Sequence, residues 1–405
     1  MEAKHALGEP RLLISRDALL HNAALLRSRV SPGTAICAVV KANAYGHGAD
    51  VVIDSLYNFS TDLLEGPFVD ALAVATVDEA AELPSTNLPT YIFRPVENAY
   101  MGGQRSRIET AIRNGWILTL CSPAAASDVA RIAVQLGRRA SVQVMIDTGM
   151  TRSGTSTEAA ADLLENIAVQ APLRLTAIAT HFSEAEQKDS AFTAVQLDRF
   201  RSATDEAMSG FKTRGQKVLR HAANSAGVFF HPGAHFDMVR PGIALFGIDP
   251  TFQPAMDRAL KPALKWTAPL IGVRDIKTGT PVGYGQTWIA PRDTKIGLVP
   301  IGYADGYLRA FSNKSSMMVH GRPVPVVGTI SMDTVTLDLG PDSHAVTGDE
   351  VTVLDDNPLS PASACALAKL AGTIPYEILC RIGSRVKRVV KEAEPRSDAM
   401  LPSDL

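Results

Sequence analysis

The sequence is short of several features that would narrow its chemistry at once. It has four cysteines, Cys37, Cys121, Cys365 and Cys380, and no two of them form a C-x-x-C pair. That scatter excludes a disulfide framework or a cysteine-built zinc site as the organising element, and no metal is expected. No apolar run reaches the roughly 18 residues that a spanning helix needs. The first residues, MEAKHALGEPRLL, lack the apolar stretch of a secretory signal. The expectation is therefore a cytoplasmic protein with no membrane partner. Neither sign of charge dominates: 40 Lys and Arg against 42 Asp and Glu leave a net charge of -2, which gives no field to attract nucleic acid or anionic lipid.

What is present is an ordinary globular composition, 46% apolar and 20% charged over 405 residues, enough for one large domain and a second one. A small-molecule partner is the default. Through the first 245 residues, eight short β-prone runs alternate with helix-like stretches: residues 34–40, 71–75, 90–93, 116–120, 141–146, 174–180, 216–221 and 236–240. Thr76 with Glu79 has the spacing of a capping box, and Ser122-Pro123 reads as an N-cap followed by proline at the first helical position. Strand alternating with helix implies a parallel sheet, and a count of eight favours a closed (β/α)8 TIM-like barrel over an open sheet. From about Lys261 the pattern changes to short β-prone runs separated by Gly, Pro, Asp and Asn, interrupted by the helical stretches SPASACALAKLAG and IPYEILCRIG. This predicts an α/β protein in which a barrel over residues 1–258 is followed by a mainly antiparallel β domain over 259–405. The basic stretch RIGSRVKRVVK alternates Ile and Val with charge, the pattern of a half-buried strand rather than a nucleic-acid contact.

In such a barrel the loops after the strands form the functional face. Lys41 closes the first run, Asp147 and Arg152 follow the fifth, His181 the sixth, Asn224 and Ser225 the seventh, and Arg240 closes the eighth. Taken singly, each has an ordinary structural use: a rim lysine, a hydrogen-bonded histidine, a salt-bridging arginine. YGHG alone is a turn signal, with no G-x-G-x-x-G or G-x-x-x-x-G-K pattern beside it. Tyr284, in VGYGQTW, could equally be a packed aromatic.

Several separated segments resemble one family. AVVKANAYGHG, ATVDEA, DTGMTRSG, THFSEAE, HAANSAG, MVRPGIALFGIDP, VGYGQTW, PIGYADGY, SMD and YEILCRIGSRV occur, between about Leu13 and Val389, in the order found in alanine racemases. The resemblance implies an enzyme that interconverts L- and D-alanine with pyridoxal 5'-phosphate bound to Lys41 as a Schiff base. A short apolar strand would hold that amine rigidly, desolvation would keep it nucleophilic, and GHG would turn the backbone away. Tyr45, Tyr376, Ser225 and the backbone of Gly242 and Ile243, where a helix is expected to begin, match the family's cofactor-phosphate contacts, with Asn224 and His181 also cofactor-binding.

Arg240 matches an arginine facing the pyridine nitrogen. A guanidinium donates and stays charged, so it favours an unprotonated pyridine, a weaker electron sink and rapid return of the proton. Tyr284 matches a second base opposite Lys41. A phenol ionises at about pH 10, so acting at neutral pH asks for about 4 kcal/mol of phenolate stabilisation, for which the resemblance offers His181 and, beyond it, Arg240. The resemblance also places that tyrosine on the other subunit of a head-to-tail homodimer with shared sites. Arg152, Tyr303, Met332 and Asp333 match substrate contacts, although for Met332 core packing is the competing use.

Departures bear on substrate tuning. Met145 stands where many members carry a lysine, often carbamylated, that helps to hold the arginine. Phe246 replaces a frequent tyrosine, and Thr329 and Thr334 stand where larger polar residues are common. Alternatives are a broader amino-acid or serine racemase, since hydrophobic pockets separate similar side chains only modestly, a decarboxylase of related architecture, and a non-catalytic PLP carrier. Arg240 and Tyr284 speak against the decarboxylase, and the second domain bearing Tyr284 speaks against the carrier.

Overall fold

The computed structural model describes residues 8–58, 68–253 and 259–391. The chain folds as two compact units that interleave in sequence. One takes Asn22–Ala44 and Leu56–Leu245, the other Met1–His21, Tyr45–Ser55 and Phe246–Leu405.

The first unit is the expected barrel. Its strands are Ala35–Val39, Ala71–Val74, Thr90–Val96, Ile117–Leu120, Ala140–Asp147, Leu173–Ala179, Leu219–His221 and Met238–Val239, and each of the eight predicted runs supplies one. Successive strands pair in parallel, and Met238–Val239 pairs with Ala35–Ile36 to bring the ends of the sheet together. Between the last two strands a full ladder is missing. Single bonds replace it: Asp237 N–H to Arg220 O at 3.0 Å and Arg240 N–H to Ala223 O at 2.8 Å. The barrel is thus nearly closed. Ala71–Val74 and Ile117–Leu120 are buried at every position, as expected for parallel strands covered on both faces, and this is why they read as unbroken apolar runs.

Both predicted helix starts are present. Thr76 Oγ1 accepts from Glu79 N–H at 3.1 Å while the Glu79 carboxylate accepts from Thr76 N–H, a complete capping box. Ser122 caps Pro123–Gln135 through Ala125 N–H.

The second unit is mainly antiparallel. Its largest sheet orders Arg322–Pro325, Ser316–Val319, Glu350–Leu354, Leu264–Pro269, Arg11–Ser15 and Lys387–Lys391. The last two strands pair in parallel, and the rest are antiparallel. Arg11–Ser15, which precedes the barrel in the chain, therefore lies in the β-rich unit's sheet. Lys387–Lys391 alternates exposed and half-buried positions, the pattern of a strand with one charged face. Ala364–Ala371 and Pro375–Cys380 are the two helical insertions. Trp266, Tyr307 and Phe311 centre the unit's core, with ring centroids 6.3 and 4.9 Å apart in succession. Among the described residues no helix is long and apolar enough to cross a membrane.

Candidate active site

Lys41 follows the buried strand Ala35–Val39, two residues beyond its end. The turn away begins earlier than the glycines that sequence reasoning assigned to it. Ala42, Asn43, Ala44 and Tyr45 have φ between 51° and 54°, a left-handed turn made without glycine. Such a turn costs about 1–2 kcal/mol per residue, so it needs outside anchoring. Ala42 N–H donates to Glu79 Oε1 at 3.0 Å and Ala44 N–H to Val40 O at 2.8 Å. The carboxylate that closes the capping box thereby also grips the backbone beside Lys41. Gly46 then passes so close to Leu379 that a Cβ would lie 2.2 Å from its carbonyl oxygen.

Arg240 is 4% exposed. Its Nη1 donates to His221 Nδ1 at 2.6 Å, and its Nη2 to Thr180 O at 2.8 Å, Ala222 O at 3.1 Å and His181 Nδ1 at 3.3 Å. A guanidinium cannot accept, so both imidazoles accept at Nδ1 and carry their protons on Nε2. Burial, the largest cause, lowers the pKa of Arg240 to about 10, which leaves it a cation at neutral pH. Burial and the cations Arg240, Arg152 and Lys41 bring His181 down to about 3, and burial with Arg240 holds His221 well below the usual histidine range. Two neutral imidazoles thus flank one buried cation, and Lys41 and Arg152 lie close enough to be felt there.

Arg152 itself is exposed, on a loop that Asp147 organises. Asp147 Oδ1 accepts from Gly149 N–H at 2.9 Å and Thr151 N–H at 3.0 Å. Met145 is buried and brings no hydrogen-bonding group to that arginine. Ser225 Oγ accepts from Gly242 N–H at 2.9 Å and Ala244 N–H at 3.2 Å, which folds the segment after Arg240 around one hydroxyl. That segment is a run of turns, with Leu245 N–H bonded to Gly242 O, and not the helix start expected at Gly242 and Ile243. Asn224 uses its side chain to cap Ser225–Phe230, accepting from Gly227 N–H at 2.9 Å.

The β-rich unit carries the remaining candidates. Tyr45 packs 5.1 Å from Phe246 and 5.6 Å from Tyr376, centroid to centroid, and burial pushes its phenol pKa upward. Phe246 also stacks on His47 at 4.4 Å, so the ring without a hydroxyl serves packing here. Tyr284 is 75% exposed on a short turn. That turn is held from behind, where Thr329 Oγ1 donates to Tyr284 O at 2.9 Å. Tyr303 and Met332 lie together, since Tyr303 N–H donates to Ser331 O and Ala304 N–H to Met332 O, both at 3.1 Å. Gly302 is required beneath them, because a Cβ would come within 2.1 Å of Met332 O. Met332 is 52% exposed, which overturns core packing as its use. Asp333 pairs with Arg385 at 2.9 Å.

Sequence reasoning missed His221, Glu79 and Thr329 as supports. His221 ends a predicted strand and could have been found by the rule that found Arg240. Glu79 was legible only as a helix cap, and Thr329 only as a departure.

The comparisons with known proteins agree over the whole fold. The family model for the alanine racemase N-terminal domain matches residues 14–250, and that for the C-terminal domain matches 263–390. A curated alanine racemase of Chlorobaculum tepidum is 38% identical over 93% of this chain and 94% of its own. One from Cutibacterium acnes is 36% identical over 93% and 96%. Among solved structures, alanine racemase from Streptomyces coelicolor superposes with a TM-score of 0.82 at 33% identity, covering 94% of this chain and 98% of that one. The Bartonella henselae enzyme, with covalently bound pyridoxal phosphate, does so with 0.78 at 27%, covering 95% and 100%. The chain belongs to the alanine racemase family.

Proposed function

We propose that this protein interconverts L- and D-alanine, using pyridoxal 5'-phosphate and two opposed bases, Lys41 and Tyr284. The observation that carries the reading is the Arg240 cluster. A buried cation held by two neutral imidazoles and two carbonyls still has its Nε–H and one Nη1 hydrogen without an acceptor among the described residues. Donors left over on a fixed, buried guanidinium suit an acceptor such as an unprotonated pyridine nitrogen. Lys41 Nζ would hold the aldehyde carbon. The Ser225 hydroxyl and the backbone at Ile243 would hold the phosphate, with Asn224 and His181 beside the ring. When bound, the cofactor supplies an electron sink that makes the substrate α-proton acidic.

The chain's own groups then do the rest. Lys41 takes or returns a proton at Nζ on one face, and Tyr284 does so at Oη on the other. His181, neutral down to a pKa of about 3, presents an Nε2–H that can stabilise a phenolate. Arg152 binds the substrate carboxylate, with Tyr303, Met332 and Asp333 lining the approach. Tyr284 comes from a second copy in a head-to-tail homodimer, so that the β-rich unit of one subunit completes the barrel site of the other. Supporting this, Tyr284, Ile289, Met332 and Tyr303 are 75%, 55%, 52% and 44% exposed on the isolated chain. In a bacterial cytoplasm the product would supply peptidoglycan precursors.

The test is a chiral assay of purified protein with pyridoxal 5'-phosphate and L-alanine, with L-serine and L-lysine in parallel and a Lys41→Ala control. Rapid formation of D-alanine alone, abolished in the control, is expected. Turnover of serine or lysine instead would overturn the substrate, and turnover by Lys41→Ala would overturn the mechanism.

A further inference from the structure

The loop that presents Arg152 and the loop that presents His181 are joined by one buried amide. Gln196, on the helix Ala191–Thr213, is fully buried. Its Nε2 donates to Thr148 Oγ1 at 3.2 Å and to His181 O at 3.1 Å, and its Oε1 accepts from Ser183 N–H at 3.0 Å and Ser183 Oγ at 3.3 Å. A primary amide has two donors and two acceptor positions, so this one is saturated. Its orientation is also fixed, because a backbone N–H can only donate and a carbonyl can only accept.

Around it, Thr148 Oγ1 bonds Thr180 Oγ1 at 2.8 Å, Arg199 Nη1 donates to Thr148 O at 3.0 Å, and Thr180 O in turn accepts from Arg240. Beyond Thr148 the Arg152 loop runs through Gly149 at φ 137° and Thr151 at φ 55°. Such a backbone keeps its shape only while it is held. A long exposed side chain takes its position from its backbone, so whatever fixes Thr148 fixes the base of Arg152.

We propose that Gln196 is a positioning residue for the reaction: it locks the Arg152 loop to the His181 loop and so sets affinity for the substrate carboxylate. The proposal rests on Arg152 as the carboxylate contact. It differs from a merely structural role in what it moves. A loosened Arg152 weakens binding of any small carboxylate and leaves the proton-transfer groups in place, so KM rises while kcat holds. Because the two enantiomers are equally stable, kcat/KM must fall by the same factor in both directions.

The experiment uses the purified holoenzyme and the variants Gln196→Met, Arg152→Met and their double. KM and kcat are measured for L- and D-alanine, with the inhibition constant of propionate, which has the carboxylate without the amine. Gln196→Met is expected to raise both KM values and the propionate constant about tenfold, equivalent to about 1.4 kcal/mol, with kcat within about threefold. In the Arg152→Met background the same substitution is expected to add nothing, since the group it positions is gone. Unchanged KM and propionate binding in Gln196→Met, or an equal further loss in the double variant, would overturn the proposal while Arg152 keeps its role. Unchanged propionate binding in Arg152→Met would overturn the reading of Arg152 and the proposal with it. If Gln196→Met does not fold, Thr148→Val, which removes one hydroxyl from the same junction, is expected to raise both constants in the same ratio. No rise in that variant would overturn the proposal.

Discussion

The two units hold their candidate residues in opposite ways. In the barrel unit the charged group is buried and enclosed: Arg240 is 4% exposed and spends three of its donors on four fixed acceptors. In the β-rich unit the corresponding residue stands out in solvent. Tyr284 is 75% exposed, and among the described residues only its backbone is anchored. The difference teaches where each part of the chemistry can be prepared. Electrostatics that must not relax during reaction belong in a packed interior, whereas a base of the kind proposed for Tyr284, meeting the substrate from a second copy, has to be displayed on a surface.

Three measurements would break or sharpen that contrast. The largest effect is expected from Tyr284→Phe. Racemisation should fall about 10³-fold, the middle of the range for loss of a general base, with abstraction from one enantiomer collapsing while cofactor absorbance stays. Because the ring is exposed, urea unfolding should shift by less than about 0.5 kcal/mol. Unchanged racemisation in both directions would end the two-base reading.

Arg240→Met reverses the emphasis. It strips the donor from Thr180 O, Ala222 O and His221 Nδ1 in one step. A loss of about 3 kcal/mol in urea unfolding is expected after the relief of guanidinium desolvation. A loss below about 1 kcal/mol would show that water reaches the cluster and that its burial is not what organises it.

The smallest effect, counted per pH unit, is a pH dependence of stability. His181 binds a proton in the unfolded chain near the ordinary histidine value of 6.5 but in the folded state only near about 3. Below pH 6.5 the unfolded state therefore holds more protons, and stability falls as pH falls towards 3. The slope reaches about 1.4 kcal/mol per pH unit for each such histidine, and His221 adds its own in the same direction. Stability curves at stepped pH should show His181→Asn losing part of that slope. An unchanged slope would place His181 in water.

Much of the fold was legible because of how parallel strands are buried. Covered on both faces, the barrel strands appear as short apolar runs, and all eight are countable from the sequence alone. The rule that barrel function gathers at strand ends then pointed to Lys41, Arg152, His181, Ser225 and Arg240, which the structure groups in one unit. Less was legible where the decisive contact lies far away in the chain. Nothing local in RLLIS says that it pairs with Leu264–Pro269 on one side and Lys387–Lys391 on the other. Nothing in KANAY announces four residues in left-handed conformation, since none of them is glycine. That turn exists because Glu79 and Val40 hold it from outside.

The same distinction runs through the site. The sequence by itself determined which chemical groups are available and which strand ends present them, because side-chain identity and hydrophobic periodicity are local properties. The tertiary structure alone decided their protonation and aim. Whether an imidazole is neutral, which of its nitrogens carries the proton, and whether an arginine loop is held by a glutamine 44 residues further along the chain depend on partners that only folding brings within hydrogen-bond reach.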